Sequence, residues 1–206
     1  MPHDLTSARE AFREAVGQFV ETLERVPDDA WDKPGLGEWS IRELAAHVVR
    51  MLDRIPEYTA QHAPVDTESA AAYYLAAMST PNVNAQIAER ARESVALLGG
   101  DPAAAARAIG ERTLAALDAL DAEASAATPF GTVGIADYMA TRILEIVVHT
   151  LDLACAAEVA VAPAPAALGA TLRLLADIAV ARGDGAALAL ALSGRAPLPD
   201  GYSALR

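Results

Sequence analysis

The segment from about Ile135 to Ala157 carries two apolar rows at helical spacing: Met139, Ile143, Ile146 and Leu153, then Leu144, Val147, Leu151 and Ala154. A helix apolar around most of its circumference takes a central place in a helical assembly. One polar stripe runs between the rows, formed by Tyr138, Arg142, Glu145, His149 and Asp152. A central helix with one polar stripe requires neighbours on every other side.

Those neighbours are legible at the same period. Phe12, Val16, Phe19, Val20 and Leu23 predict a helix over about Leu5 to Arg25. Ser40 with Glu43 three residues on is a capping box. It opens a helix whose stripe is Ile41, Leu44, Ala45, Val48, Leu52 and Ile55 and which Pro56 is expected to close. Glu43, His47, Arg50 and Arg54 line its polar edge. A short helix near Glu68–Met78 and a longer one near Asn82–Leu98 follow, the latter ending at Gly99 and Gly100. Asp101 then Pro102 is an N-cap followed by proline at the first helical position, starting a helix toward Leu120. After Pro163 and Pro165, Leu168, Leu172, Leu175 and Ile178 predict an inward face over about Ala166–Arg182. The segment 185–206 reads as either strand or helix.

Two connectors are long. The first contains Pro27, Pro34, Gly35 and Gly37 with both tryptophans, Trp31 and Trp39, expected to plug the loop onto the helices. The second contains TPFGTVG before the central helix. Scarce β-branched runs and abundant alanine and leucine make the fold class all-α.

Charge and cysteine count exclude several functions. With 16 basic and 28 acidic residues the net charge is −12. No large basic patch for nucleic acid or an anionic membrane is expected. Charged residues interrupt every apolar run before the roughly 18 residues that span a bilayer accumulate. The single cysteine, Cys155, rules out an intrachain disulfide or multi-cysteine metal cluster and reads as a buried small hydrophobe. MPHDLTSARE lacks the apolar core of a secretory signal, so a cytoplasmic protein is expected.

Glu145 and His149 are four apart, on one side of their helix with Cβ atoms about 6 Å apart. A carboxylate oxygen and an imidazole nitrogen there can share one divalent ion at about 2.0–2.2 Å. Asp152 can accept a hydrogen bond from the other ring nitrogen and fix the tautomer. His47 is the candidate third ligand, and three protein ligands with open positions are the pattern of a catalytic metal. Spacing alone leaves a second reading open, a solvated helix face with i,i+3 and i,i+4 pairs. Arg142 and Arg50 are candidates to meet an anionic substrate, with Arg142 also placed to pair with Glu145. His3 and His62 read as surface residues.

EWSIRELAAHVVR and RILEIVVHTLDLA, about a hundred residues apart, resemble the paired signatures of the mycothiol-dependent maleylpyruvate isomerase-like family. That family belongs to the DinB-like superfamily of metal-binding four-helix bundles. The tail GRAPLPDGYSALR also resembles segments near the end of such chains. The resemblance implies a DinB-like bundle over residues 1–160, with 161–206 forming a helix and short tail packed on the same domain. His47, Glu145 and His149 match the family's metal ligands, and Asp152 matches the acid that follows its second histidine. The implied ion is divalent, zinc first.

The implied cosubstrate is mycothiol, a low-molecular-weight thiol of actinobacteria that the metal converts to a thiolate. Thiolate addition to a small electrophile's double bond, rotation and elimination amount to cis–trans isomerisation. Displacement of a leaving group is S-transfer. Residues 166–206 alone follow Pro165, so the isomerase's second, α/β domain is expected to be absent or a stub, which favours S-transfer at least equally. Three other readings stand beside this transferase or isomerase. They are a hydrolase using metal-bound water, a metal- or ligand-binding module without turnover, and a purely structural bundle. A homodimer is an expected assembly.

Overall fold

A computed structural model describes residues 4–61 and 63–205, with Asn84 described by its backbone. His3 and His62 lie outside the described residues. Eight α-helices and two short hairpins make up the described structure: α1 (Leu5–Leu23), β1 (Pro34–Leu36), β2 (Trp39–Ser40), α2 (Ile41–Thr59), α3 (Ala70–Met78), α4 (Val83–Glu93), α5 (Pro102–Asp118), β3 (Ser125–Thr128), β4 (Gly131–Gly134), α6 (Ile135–Ala156), α7 (Pro165–Ala181) and α8 (Gly185–Leu192). A 3-10 turn, Ser94–Leu98, continues α4. The fold is an all-α, DinB-like bundle.

Helix starts follow local chemistry. Asp4 Oδ2 accepts from the Ser7 amide at 2.9 Å, Ser69 Oγ from Ala72 at 3.2 Å and Asp101 Oδ1 from Ala104 at 3.0 Å. At α2 the capping box is complete: the Glu43 amide donates to Ser40 Oγ at 3.2 Å and the Ser40 amide to Glu43 Oε2 at 2.8 Å. Each bond satisfies an amide that the first helical turn leaves without a partner.

Four long helices form a ring, α1 against α5 and α6, and α2 against the same two. The core is the apolar stripes meeting inside that ring, with Phe12, Phe19, Ile41, Leu44, Leu52, Ile143 and Ile146 fully buried. The α1–α5 approach is close: a Cβ on Gly110 would lie 2.6 Å from Val16 Cγ1. α7 covers the outside of α1 and α6.

Several expectations need correcting. Pro56 does not close α2, which runs on to Thr59. Proline deprives the Leu52 carbonyl of its usual helical donor. The buried Thr113 hydroxyl on α5 stands 3.0 Å from Leu52 O and 2.9 Å from Ile109 O of its own helix, so its one proton serves two carbonyls, and α2 continues past the proline. Both long connectors contain hairpins. In β3–β4, Asp66 Oδ1 accepts from the Thr132 amide at 2.7 Å and the Tyr73 hydroxyl donates to Thr128 Oγ1 at 3.0 Å.

The buried face of α7 is Ala167, Ala170, Thr171, Leu174 and Ile178, leaving Leu172 at 56% exposure. Small side chains let α7 sit close to α1 and α6, so the larger leucine turns outward. The segment 185–206 opens with a helix, α8, rather than a strand. Cys155 is exposed, not buried. It stands one turn after the exposed Leu151 on the outer side of α6, while Leu153 and Ala154 face in.

Candidate metal centre

α2 and α6 pack side by side in the ring, so the polar edge of one meets the polar stripe of the other. His47 comes from α2, and Glu145 and His149 come from α6, two positions one turn apart. Their ligand-type atoms all lie within 4.8 Å of one another. His47 Nε2 is 3.7 Å and His149 Nε2 3.4 Å from the same oxygen, Glu145 Oε2. Ligands held about 2.1 Å from a shared tetrahedral ion stand about 3.4 Å apart, so the spacing suits one ion between them.

Asp152 extends the set. Its Oδ2 is 3.1 Å from His149 Nδ1, so that nitrogen donates and Nε2 is directed toward Glu145. An imidazole lone pair aimed at a carboxylate oxygen is unfavourable unless a proton or a cation lies between them. Burial opposes charge on His149, but hydrogen bonding to Asp152 and Glu145 overrides it and raises its pKa to about 9. Burial pushes the pKa of His47 down. Burial would raise Glu145, yet the two histidines and Arg142 hold its carboxyl well below the usual range. The protein alone therefore stabilises the carboxylate and one neutral imidazole, the forms a divalent ion needs.

Sequence reasoning missed the wall of this centre. Trp39 does not merely plug a loop. The β1–β2 hairpin folds it back so that its ring lies 5.1 Å from the His47 ring and 6.4 Å from that of His149. Gly35 permits the fold, since a Cβ there would lie 2.8 Å from the Ser40 carbonyl carbon. A signal existed in Trp39 standing directly before the capping Ser40, where it must leave the helix axis close to α2's first turns. Trp31, by contrast, is buried at 8% exposure, the plug expected of it.

Arg142 does not form an ion pair with Glu145 within 4.0 Å among the described residues. Its guanidinium carbon lies 5.2 Å from the centre of the Tyr138 ring, and Nε donates to Thr141 Oγ1 at 3.2 Å. Tyr138, read as part of the polar stripe, is buried at 1% exposure, and burial raises its hydroxyl's pKa. Tyr74, on α3, lines a cavity together with Glu145; burial first, then that carboxylate, raises its pKa. Nothing in the local sequence marks Tyr74, because only the tertiary fold brings α3 to α6.

That cavity, of about 120 Å³, opens beside His47 and Glu145. No helix among the described residues is long and apolar enough to cross a membrane.

Comparisons with curated proteins and with solved structures return no match. The family model described as the mycothiol maleylpyruvate isomerase N-terminal domain matches residues 12–154, a span that contains His47, Glu145, His149 and Asp152. That match covers well over half of the chain, which therefore belongs to the mycothiol maleylpyruvate isomerase N-terminal domain family.

Proposed function

We propose that the chain is a metal-dependent enzyme that uses a low-molecular-weight thiol, mycothiol by family, to modify a small electrophile by S-transfer or cis–trans isomerisation. The observation that carries the reading is the convergence of His47, Glu145 and His149 ligand atoms within 4.8 Å across two helices. Two histidines and one glutamate suit zinc, with positions left for a small ligand.

A divalent ion there supplies Lewis acidity that turns a thiol into a thiolate at neutral pH. The chain's residues prepare for it. Asp152 holds the Nδ1–H of His149, so Nε2 is the nitrogen that would ligate once an ion displaces its proton. Trp39 screens the histidines from solvent on one side, while the cavity gives access on the other. Cys155, exposed on the outer side of α6, does not line the cavity, so the reactive sulfur comes from the cosubstrate.

Elemental analysis of the purified protein beside His149→Ala tests the centre. One divalent ion per chain, lost in the variant, is expected. Two metal-free samples, even after reconstitution, overturn the reading. With metal established, electrophiles are assayed with and without mycothiol. Thiol-dependent turnover is expected, and turnover without thiol transfers the centre to hydrolysis by metal-bound water.

A further inference from the structure

The cavity beside the centre is cationic in a chain whose net charge is −12. Arg50 and Arg54 from α2, Arg90 from α4 and Arg142 from α6 border it, and Glu145 is the only carboxylate among its lining residues. Two of these cations have clear protein partners. Arg54 Nη1 pairs with Glu57 at 2.6 Å, and Arg90 Nη2 donates to Gln86 Oε1 at 2.8 Å. The other two differ. Arg142 engages Nε and the face of its guanidinium, leaving both terminal nitrogens without a hydrogen-bond partner among the described residues. Arg50, partly buried, has no ion pair or hydrogen bond among the described residues. Burial lowers its pKa and repulsion from Arg90 and Arg54 adds to that, while Tyr58 and Glu93 oppose the shift.

Position in the helices adds a second constraint. Arg50 stands three residues after His47 on α2, and Arg142 three before Glu145 on α6, yet both border one cavity. Each arginine is therefore just under one turn, about 4.5 Å along the axis, from a ligand position on its own helix. A partly desolvated guanidinium offers a planar fork that carboxylate or phosphate oxygens satisfy in pairs.

We propose that Arg50 and Arg142, with Arg90 at the mouth, form an oxyanion subsite that binds a carboxylate or phosphate group about one helical turn from the metal centre. The electrophile is then a small acid whose reacting atom lies a few bonds from its anionic group. That the anion belongs to the electrophile rests on the function proposed above; the anion site itself does not.

Calorimetric titration of the metal-loaded protein with succinate, inorganic phosphate and uncharged succinamide tests this. At least one anion is expected to bind, with succinamide weaker by about tenfold or more, as for loss of a charge-assisted pair. The preferred anion identifies the group as carboxylate or phosphoryl. Arg50→Gln and Arg142→Gln should each weaken that binding about tenfold, while Arg195→Gln, on the exposed tail, should leave it unchanged. No binding of either anion, equal binding of succinamide, or equal affinity in the arginine variants overturns the proposal. Thermal melts verify folding, and Arg50→Gln decides alone where Arg142→Gln does not fold.

Metal content measured on the same samples separates the two readings. A full complement of metal without anion binding defeats the subsite alone. Arginine-dependent binding to protein that holds no metal defeats the metal centre alone.

Discussion

α2 presents one face to α5 and another to α6, and the two faces treat polar groups in opposite ways. Toward α5, Pro56 leaves the Leu52 carbonyl without its helical donor, and the Thr113 hydroxyl, which also faces Ile109 O at 2.9 Å, offers one at 3.0 Å. The partners there come from within the protein. Toward α6, His47, Glu145 and His149 converge at 3.4–3.7 Å, and Arg50 and Arg142 retain unpartnered nitrogens. A polar group whose bonds are complete holds the fold together. A partly buried cluster of ligand-type and cationic groups is instead a candidate place for a guest.

The largest expected effect comes from the closed side. Leu52→Ala removes a fully buried side chain and should cost about 2–5 kcal/mol in denaturant unfolding. Metal content per folded chain should be unchanged, because the proposed ligands lie on the other face. Metal loss equal to that of His149→Ala would show that the two faces are not independent.

On the open side, Asp152→Ala frees the His149 ring and should weaken metal binding about 10- to 100-fold. Competition with a chromogenic chelator reads this directly. Unchanged affinity would mean that Asp152 merely screens a charge. Thr113→Val is nearly isosteric and should cost about 1–3 kcal/mol by stranding the buried Leu52 carbonyl. An equilibrium melt showing no loss would mean that the carbonyl finds another donor.

The two faces were unequally legible in the sequence. α1, α2 and α6 follow from apolar spacing and caps, and the Glu145, His149 and Asp152 set follows from their helical offsets. Local patterns of this kind need no knowledge of the partner helix. What escaped depends on long-range geometry: Thr113 facing a carbonyl 61 positions away, Trp39 folded onto His47, and Tyr74 lining one cavity with Glu145. Pro56 misled for the same reason, since the rule that proline ends a helix assumes that no outside donor exists. Cys155 misled because an apolar composition around the whole of α6 hides which of its positions face out.

The β3–β4 hairpin leading into α6 offers the smallest and most local test. The exposed Asp66 carboxylate accepts from the Thr132 amide at 2.7 Å and from the Thr67 hydroxyl at 2.8 Å. The backbone bond, then the hydroxyl, lowers its pKa from the ordinary aspartate value. A depressed folded pKa gives stabilisation that is present above the unfolded value and lost as pH falls through the folded one. Amide exchange at Thr132 should therefore accelerate below about pH 4, relative to a distant helical amide, and Asp66→Asn should flatten that difference. The proposed metal ligands lie outside this loop, so the same substitution should leave metal content unaltered. An exchange profile identical in the two proteins would mean that the hairpin is held by its strand pairing alone.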